Sequence, residues 1–246
     1  MLAIDLRSAA KSIQEAKLAA ETSTLASLFQ RQSVEYAASG QIVFFQGDPA
    51  KHVFTVLRGT LRICRMLPDG RRVISGFLRT GDIVGISFKR HYVYSAEAIG
   101  EVVFRRMPRR DFDEELALSS HLHTEMVAHL RDELAAAQNQ MVLLSCKTAE
   151  QRLCSFLLQE LKASRKEAAG NLIQLPMSRL DIADYLGLTI ETVSRTITKL
   201  SLKKIIACRG RHGMSVLQEP ALKAHAGDGD EIDEIGFSTS SAKCRH

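Results

Sequence analysis

Residues 175–200, LPMSRLDIADYLGLTIETVSRTITKL, constrain this chain more than any other stretch, because their caps and apolar positions suit two short helices joined by a tight turn. Ser178 is a good N-cap, and Asp181 three residues on completes a capping-box-like start. Leu180, Ile182 and Leu186 give that first helix its apolar face. Gly187 falls where a left-handed C-terminal cap is needed, and Thr189 caps a second helix whose inward face is Val193, Ile197 and Leu200. The stretch reads as a helix-turn-helix. Glu191, Ser194 and Arg195, spaced by three and four residues and flanked by Ile190, then share the outer face of the second helix's first turns. That is the part of a recognition helix that reaches base edges in the major groove. Arg can donate two bonds to guanine O6 and N7, Glu can accept from cytosine N4, and a Ser hydroxyl serves either role. Taken alone, Glu191 and Arg195 are also an ordinary surface i,i+4 ion pair. The two capped helices, the glycine turn and the basic hairpin that follows favour the reader.

That following stretch, IIACRGRHGMSVL, resembles a β-hairpin wing with Arg209, Arg211 and His212 at its tip, suited to phosphate rather than base contact. A plain basic turn is the alternative. With the helix ends, the expected phosphate contacts are Ser178, Arg179, Thr189, Thr192, Lys199, Arg209 and Arg211. Charge distribution agrees. From Cys146 to Leu217 twelve Lys and Arg face six Asp and Glu, whereas Glu219 to His246 carries six acids against three bases, so the net charge of +5 is concentrated around the proposed reader.

GLTIETVSR, residues 187–195, resembles the recognition helix of the CRP/FNR superfamily of bacterial transcription regulators, and its Glu-x-x-Ser-Arg form is similar to the FNR and FixK branches. The CRP branch has Arg before the Glu and Gly before the final Arg, where this chain has Ile190 and Ser194. The resemblance implies that Glu191, Ser194 and Arg195 read a TTGAT half-site paired with its inverted copy. It also implies a homodimer, RNA polymerase as a partner, and control of microaerobic, anaerobic or nitrogen-fixation genes.

Between Ser39 and about residue 110 the pattern changes to short β-like runs, QIVFF, HVFTVL, TLRICRM, RVISGF and AIGEVVF, separated by glycine-containing turns of which Pro68-Asp69-Gly70 is the clearest. This is a many-stranded antiparallel domain. FFQGDPA, VLRGTLRI, PDGRR and TGDIVGISF resemble successive turns of the superfamily's sensor β-roll. Cyclic-nucleotide binders of that superfamily have Gly-Glu after the TGD-type turn and then Arg followed by Ser or Thr for the phosphate. Here Gly85-Ile86 removes the carboxylate, and Arg90-His91-Tyr92 includes no such pair, so this segment is expected to be a solvated loop. Cys64 is the first cysteine, so the N-terminal set that holds an iron–sulfur cluster in the FNR branch is missing. No cofactor is expected.

Asp111 to Ser145 reads as one long helix with Val127, Leu134 and Met141 at heptad position a, and His123, Leu130, Ala137 and Leu144 at d. The expected dimer seam is Val127, Leu130, Leu134, Ala137, Met141 and Leu144. A helix packed on its own β-roll is the alternative. KTAEQRLCSFLLQELKASR follows as an amphipathic helix.

The expected fold is α+β: an N-terminal helical segment over 1–38, with Leu18, Leu25, Leu28 and Phe29 as its apolar positions, a β-roll over 39–110, a dimerisation helix over 111–145, a winged helix-turn-helix over 146–218, and a disordered acidic tail over 219–246. The expected partners are double-stranded DNA, a second copy of the chain and RNA polymerase, with no membrane and a cytoplasmic location. Five cysteines, at 64, 146, 154, 208 and 244, form no disulfide framework. His121 and His123 point to different sides of a helix, and no metal or catalytic motif appears, so no enzyme is expected. Two rivals stand beside this reading: the same DNA reader gated by a small effector in the β-roll, and a cupin-type β-barrel enzyme. The second needs more clustered ligands than His52 and His91 provide.

Overall fold

The computed structural model describes residues 24–87, 89–166, 171–210 and 212–227, which fall into two compact units. Among the described residues, one takes in 24–142 together with Pro176–Gly187; the other takes in Leu143–Leu175 and 188–227.

The first unit is built on six strands: β1 (Val34–Ala37), β2 (Ile42–Phe44), β3 (His52–Met66), β4 (Arg72–Leu78), β5 (Ile83–Val84) and β6 (Ser95–Pro108). All pairings are antiparallel, in the order β1-β6-β3-β4, with β2 on β6 and β5 on β3. The long β3–β6 ladder shifts register around Arg58 and bends there. Gly59, next to it, has φ +92° and an ideal Cβ would lie 2.4 Å from the Glu101 carbonyl oxygen, so only glycine fits. Strand alternation points Phe44, Phe54, Val56, Leu61 and Phe104 into one apolar core.

Two helices follow, α1 (Arg109–Leu118) and α2 (Ser120–Cys146). The single helix expected over 111–145 is therefore interrupted. Ser119 is extended (φ −125°, ψ 111°), and its hydroxyl accepts the Leu122 N–H at 3.3 Å. A serine hydroxyl competes locally with helical hydrogen bonding, and here it caps the second helix. Leu122 and Met126 of α2 pack with Phe112, Val53, Met107, Leu25 and Phe29 into a second core. The N-terminal expectation also changes. Leu25–Phe29 is one 3-10 turn capped by Thr24, and Val34–Ala37 is already strand, because VEYA suits the pleated edge beside β6. Leu18 lies outside the described residues. The same unit holds α4 (Arg179–Leu186).

The second unit comprises α3 (Ala149–Lys166), β7 (Leu172–Gln174), α5 (Ile190–Leu202), β8 (Ile206–Arg209), β9 (Gly213–Val216) and α6 (Glu219–Ala226). The sheet runs β7-β9-β8. Leu153, Phe156, Leu157 and Leu161 of α3 are buried, as are Val193, Ile197 and Leu200 of α5 and Met214 and Val216 of β9. Residues 219–226, expected to be disordered, form a helix: Pro220 sits in its first turn, where a missing N–H costs nothing, Leu222 and Ala226 are buried, and Gly227 closes it in the left-handed region. Residues 228–246, the rest of the expected tail, lie outside the described residues.

Candidate nucleic-acid interface

α4 begins as the sequence predicts. Ser178 Oγ accepts the Asp181 N–H at 3.1 Å, the Asp181 carboxylate accepts the Ser178 N–H at 3.0 Å, and Gly187 closes the helix at φ 62°, ψ 40°. Leu180, assigned to the apolar inward face, is 49% exposed; Ile182 and Leu186 do face inward. Three residues after α4, α5 starts behind Thr189, whose hydroxyl accepts the Thr192 N–H at 3.2 Å and lies 3.1 Å from the Thr192 hydroxyl.

Burial divides α5 sharply. Val193, Ile197 and Leu200 are buried with Thr196, whereas Ile190, Glu191 and Arg195 are exposed and Ser194 is half-buried. Glu191 is exposed at the helix N-terminus, and its own backbone N–H, then the Thr189 hydroxyl, hold its carboxyl below the usual glutamate range. Arg195 contributes less than either to that shift. Glu191 is thus an ionised acceptor and Arg195 an exposed fork of donors on the same face.

The expected phosphate contacts fall into different situations. Arg209 ends β8 with its Nε 3.4 Å from Ser215 Oγ. Arg211 lies outside the described residues. His212 is tied to the scaffold, its Nδ1 3.0 Å from the Leu175 carbonyl oxygen and its own carbonyl accepting the Leu175 N–H at 2.7 Å. Lys199 is ion-paired with Glu150 of α3, a partner that spacing within α5 could not reveal. Ser178 and Arg179 lie at the N-terminus of α4, in the other unit.

The β-roll interior is filled from within. Tyr92, expected in a solvated loop, is 5% exposed: its ring stacks on Phe44 at 4.0 Å between centroids, and its hydroxyl donates to the His52 carbonyl at 2.8 Å. Phe44 stacks in turn on Phe54 at 5.3 Å. Arg90 and His91 are exposed, as expected. Ile86, itself half-buried, packs against the second core, where a carboxylate would lose part of its hydration and the apolar contact. Burial pushes the Tyr94 phenol up to about 12, and Tyr94 Oη accepts the Gly85 N–H at 3.4 Å.

Residues 34–119 match the family described as cyclic nucleotide-binding domain, and residues 151–225 match the Crp-like helix-turn-helix domain. The nitrogen fixation regulation protein FixK of Bradyrhizobium diazoefficiens is 41% identical over 75% of this chain and 77% of that protein. The chain belongs to the CRP/FNR family of transcription regulators. The transcriptional activatory protein AadR of Rhodopseudomonas palustris is 38% identical over 71% of this chain and 73% of its own length. The solved structure of FixK2 from Bradyrhizobium japonicum superposes with a TM-score of 0.74 at 31% identity, over 78% of this chain and 96% of that one. Membership removes the cupin-type alternative, since CRP/FNR proteins are regulators and not enzymes. No helix among the described residues is long and apolar enough to cross a membrane.

Proposed function

We propose that this CRP/FNR regulator works as a homodimer in the cytoplasm, reads a TTGAT-type inverted repeat through Glu191, Ser194 and Arg195, and activates microaerobic, anaerobic or nitrogen-fixation genes with RNA polymerase as its partner. The observation that carries the reading is the outer face of α5, where an ionised Glu191 and an exposed Arg195 stand over a buried Val193–Ile197–Leu200 stripe. A glutamate acceptor and an arginine fork discriminate base edges in the major groove, whereas a purely basic face would bind any phosphate backbone. Dimerisation is supported by α2, on which Leu134 and Met141 are 60% and 68% exposed while Leu122 and Met126 face the core.

Binding without an effector is supported by the Phe44–Tyr92 stack and by Ile86. The reading gated by a small effector keeps one observation in its favour, the match of residues 34–119 to a cyclic nucleotide-binding domain. One experiment separates the two: titrate purified protein against a duplex bearing the inverted TTGAT repeat and against a scrambled duplex, with and without cyclic AMP. Selective binding in both conditions supports the proposal. Selective binding only with the nucleotide supports the gated reading, and no selectivity in either condition overturns binding without an effector.

A further inference from the structure

α4 is fastened to the β-roll by charge. Arg62 of β3 grips Glu97 of the neighbouring β6 strand with two nitrogens and places Nη1 2.7 Å from Asp181 Oδ1. Arg72, at the start of β4, sets Nη2 2.8 Å from the same Asp181 oxygen and donates to Asp184 through Nε at 2.9 Å and Nη2 at 2.7 Å. Asp181 is the centre of this chain of five charges, its side chain only 4% exposed. Its other oxygen closes the Ser178 cap, so one carboxylate both starts α4 and anchors it. Beside the charges, the Phe77 ring of β4 meets the Tyr185 ring at 5.3 Å, and Gln140 of α2 donates to the Tyr185 carbonyl at 2.9 Å.

Such an arrangement holds position more than it adds stability. Part-buried charges gain little over an apolar contact of the same shape, but removing either arginine leaves the buried Asp181 carboxylate short of a partner, so the geometry is tightly specified. The bidentate grip of Arg62 on both oxygens of Glu97 fixes direction as well as distance. α4 is therefore held on β3, β4 and α2, and α5 continues the chain after three residues.

We propose that Arg62 and Arg72 are positioning residues for DNA reading, which by clamping α4 set the spacing at which a dimer offers its two readers. The proposal rests on the dimeric, DNA-reading function above. Two readers held at a fixed separation bind the second half-site as an intramolecular event with little orientational freedom left to lose. Readers on loosened α4 helices meet a single half-site equally well but lose the advantage of the pair.

The test compares wild type with Arg72→Met and the milder Asp184→Asn on three duplexes: one half-site, the inverted repeat, and the repeat respaced by a fifth of a turn. Amide hydrogen exchange of α4 is followed in the DNA-free proteins, and melting checks that each variant folds. The expected result is a roughly tenfold loss on the repeat, a half-site affinity within about twofold of wild type, and a smaller penalty for respacing. Exchange in α4 should rise while exchange in β3 and β6 stays put. Unchanged α4 exchange overturns the clamp whatever the DNA results, and so does an equal loss on half-site and repeat. Wild-type protein that prefers no TTGAT duplex defeats the functional proposal instead, and the exchange data still decide the clamp.

Discussion

His225 places its Nδ1 2.8 Å from Oε1 of Glu150, while the second oxygen of that carboxylate takes the Lys199 ammonium. Lys203 approaches the remaining ring nitrogen of His225 at 3.4 Å. Three helices, α3, α5 and α6, thus meet at one carboxylate, which Lys199 holds below the ordinary glutamate range. Part of the positive charge on the far half of α5 is neutralised at home.

A prediction follows for Glu150→Gln. Freed of its partner, Lys199 should attract phosphate more strongly, so affinity should rise a few-fold on cognate and scrambled duplexes alike. The slope of log K against log salt should steepen by up to about one unit per subunit. Lys199→Ala in the wild-type background should cost less than about 0.5 kcal/mol, near the weak end of exposed charge pairs. Titrations at four salt concentrations measure both, and a large loss for Lys199→Ala would place that ammonium on phosphate despite Glu150.

Arg195 and Arg209 should fail in different ways. Arg195→Ala is expected to cost about 1–3 kcal/mol on the cognate site and to flatten discrimination at the guanine of each half-site. Arg209→Ala should weaken all duplexes alike and reduce the salt slope by roughly one unit for each phosphate that a subunit no longer neutralises. If Arg195→Ala weakened binding uniformly and kept its preference for TTGAT, its guanidinium would be a backbone contact.

The seam on α2 can be tested by charge. Leu134 and Met141 are 60% and 68% exposed in the single chain, so Leu134→Glu with Met141→Glu should leave each protomer folded. Pairing would then require desolvating four carboxylates, a cost of at least several kcal/mol that a seam of two to three heptads cannot offset. Sedimentation should show monomers with unchanged melting, and wild type that already sediments as a monomer at micromolar concentration would remove the premise.

Much of this is legible in sequence because caps and periodicity act locally. Ser178, Asp181, Gly187 and Thr189 announce α4 and α5 through bonds that span three or four residues, and the buried stripe of α5 follows its 3.6 period. What escapes is set by distant partners. Nothing near Asp181 foretells Arg62 or Arg72, more than a hundred positions earlier, and nothing near Lys199 foretells Glu150. Tyr92 reads as a loop residue because its partners, Phe44 and the His52 backbone, lie forty or more positions away. The break at Ser119 escapes for the opposite reason: its signal is a short serine pair, Ser119-Ser120, just ahead of a convincing heptad run. The α6 helix hides in a segment whose overall acidity outweighs Pro220, Leu222 and Gly227.

Thiol chemistry should separate the four cysteines among the described residues into two classes. Burial pushes the Cys154 thiol up to about 12 and raises that of Cys64, so at neutral pH both are protonated as well as inaccessible. Cys146 and Cys208 are exposed. Alkylation of the native protein, followed by peptide mapping, should label Cys146 and Cys208 within minutes and reach Cys64 and Cys154 only on unfolding. Mild peroxide should leave DNA binding largely intact. Loss of binding that reductant restores would count against this and would direct attention to Cys208 on β8.

The stacked rings inside the β-roll make a removable plug. Cutting Phe44 to alanine should cost about 3–5 kcal/mol and leave an apolar hollow that stays dry and accepts a small aromatic guest. Benzene or a similar molecule added to such a variant would refill the hole and restore part of the lost melting temperature. Chemical rescue of that kind would turn this β-roll into a synthetic receptor, its stability governed by a compound of the experimenter's choosing.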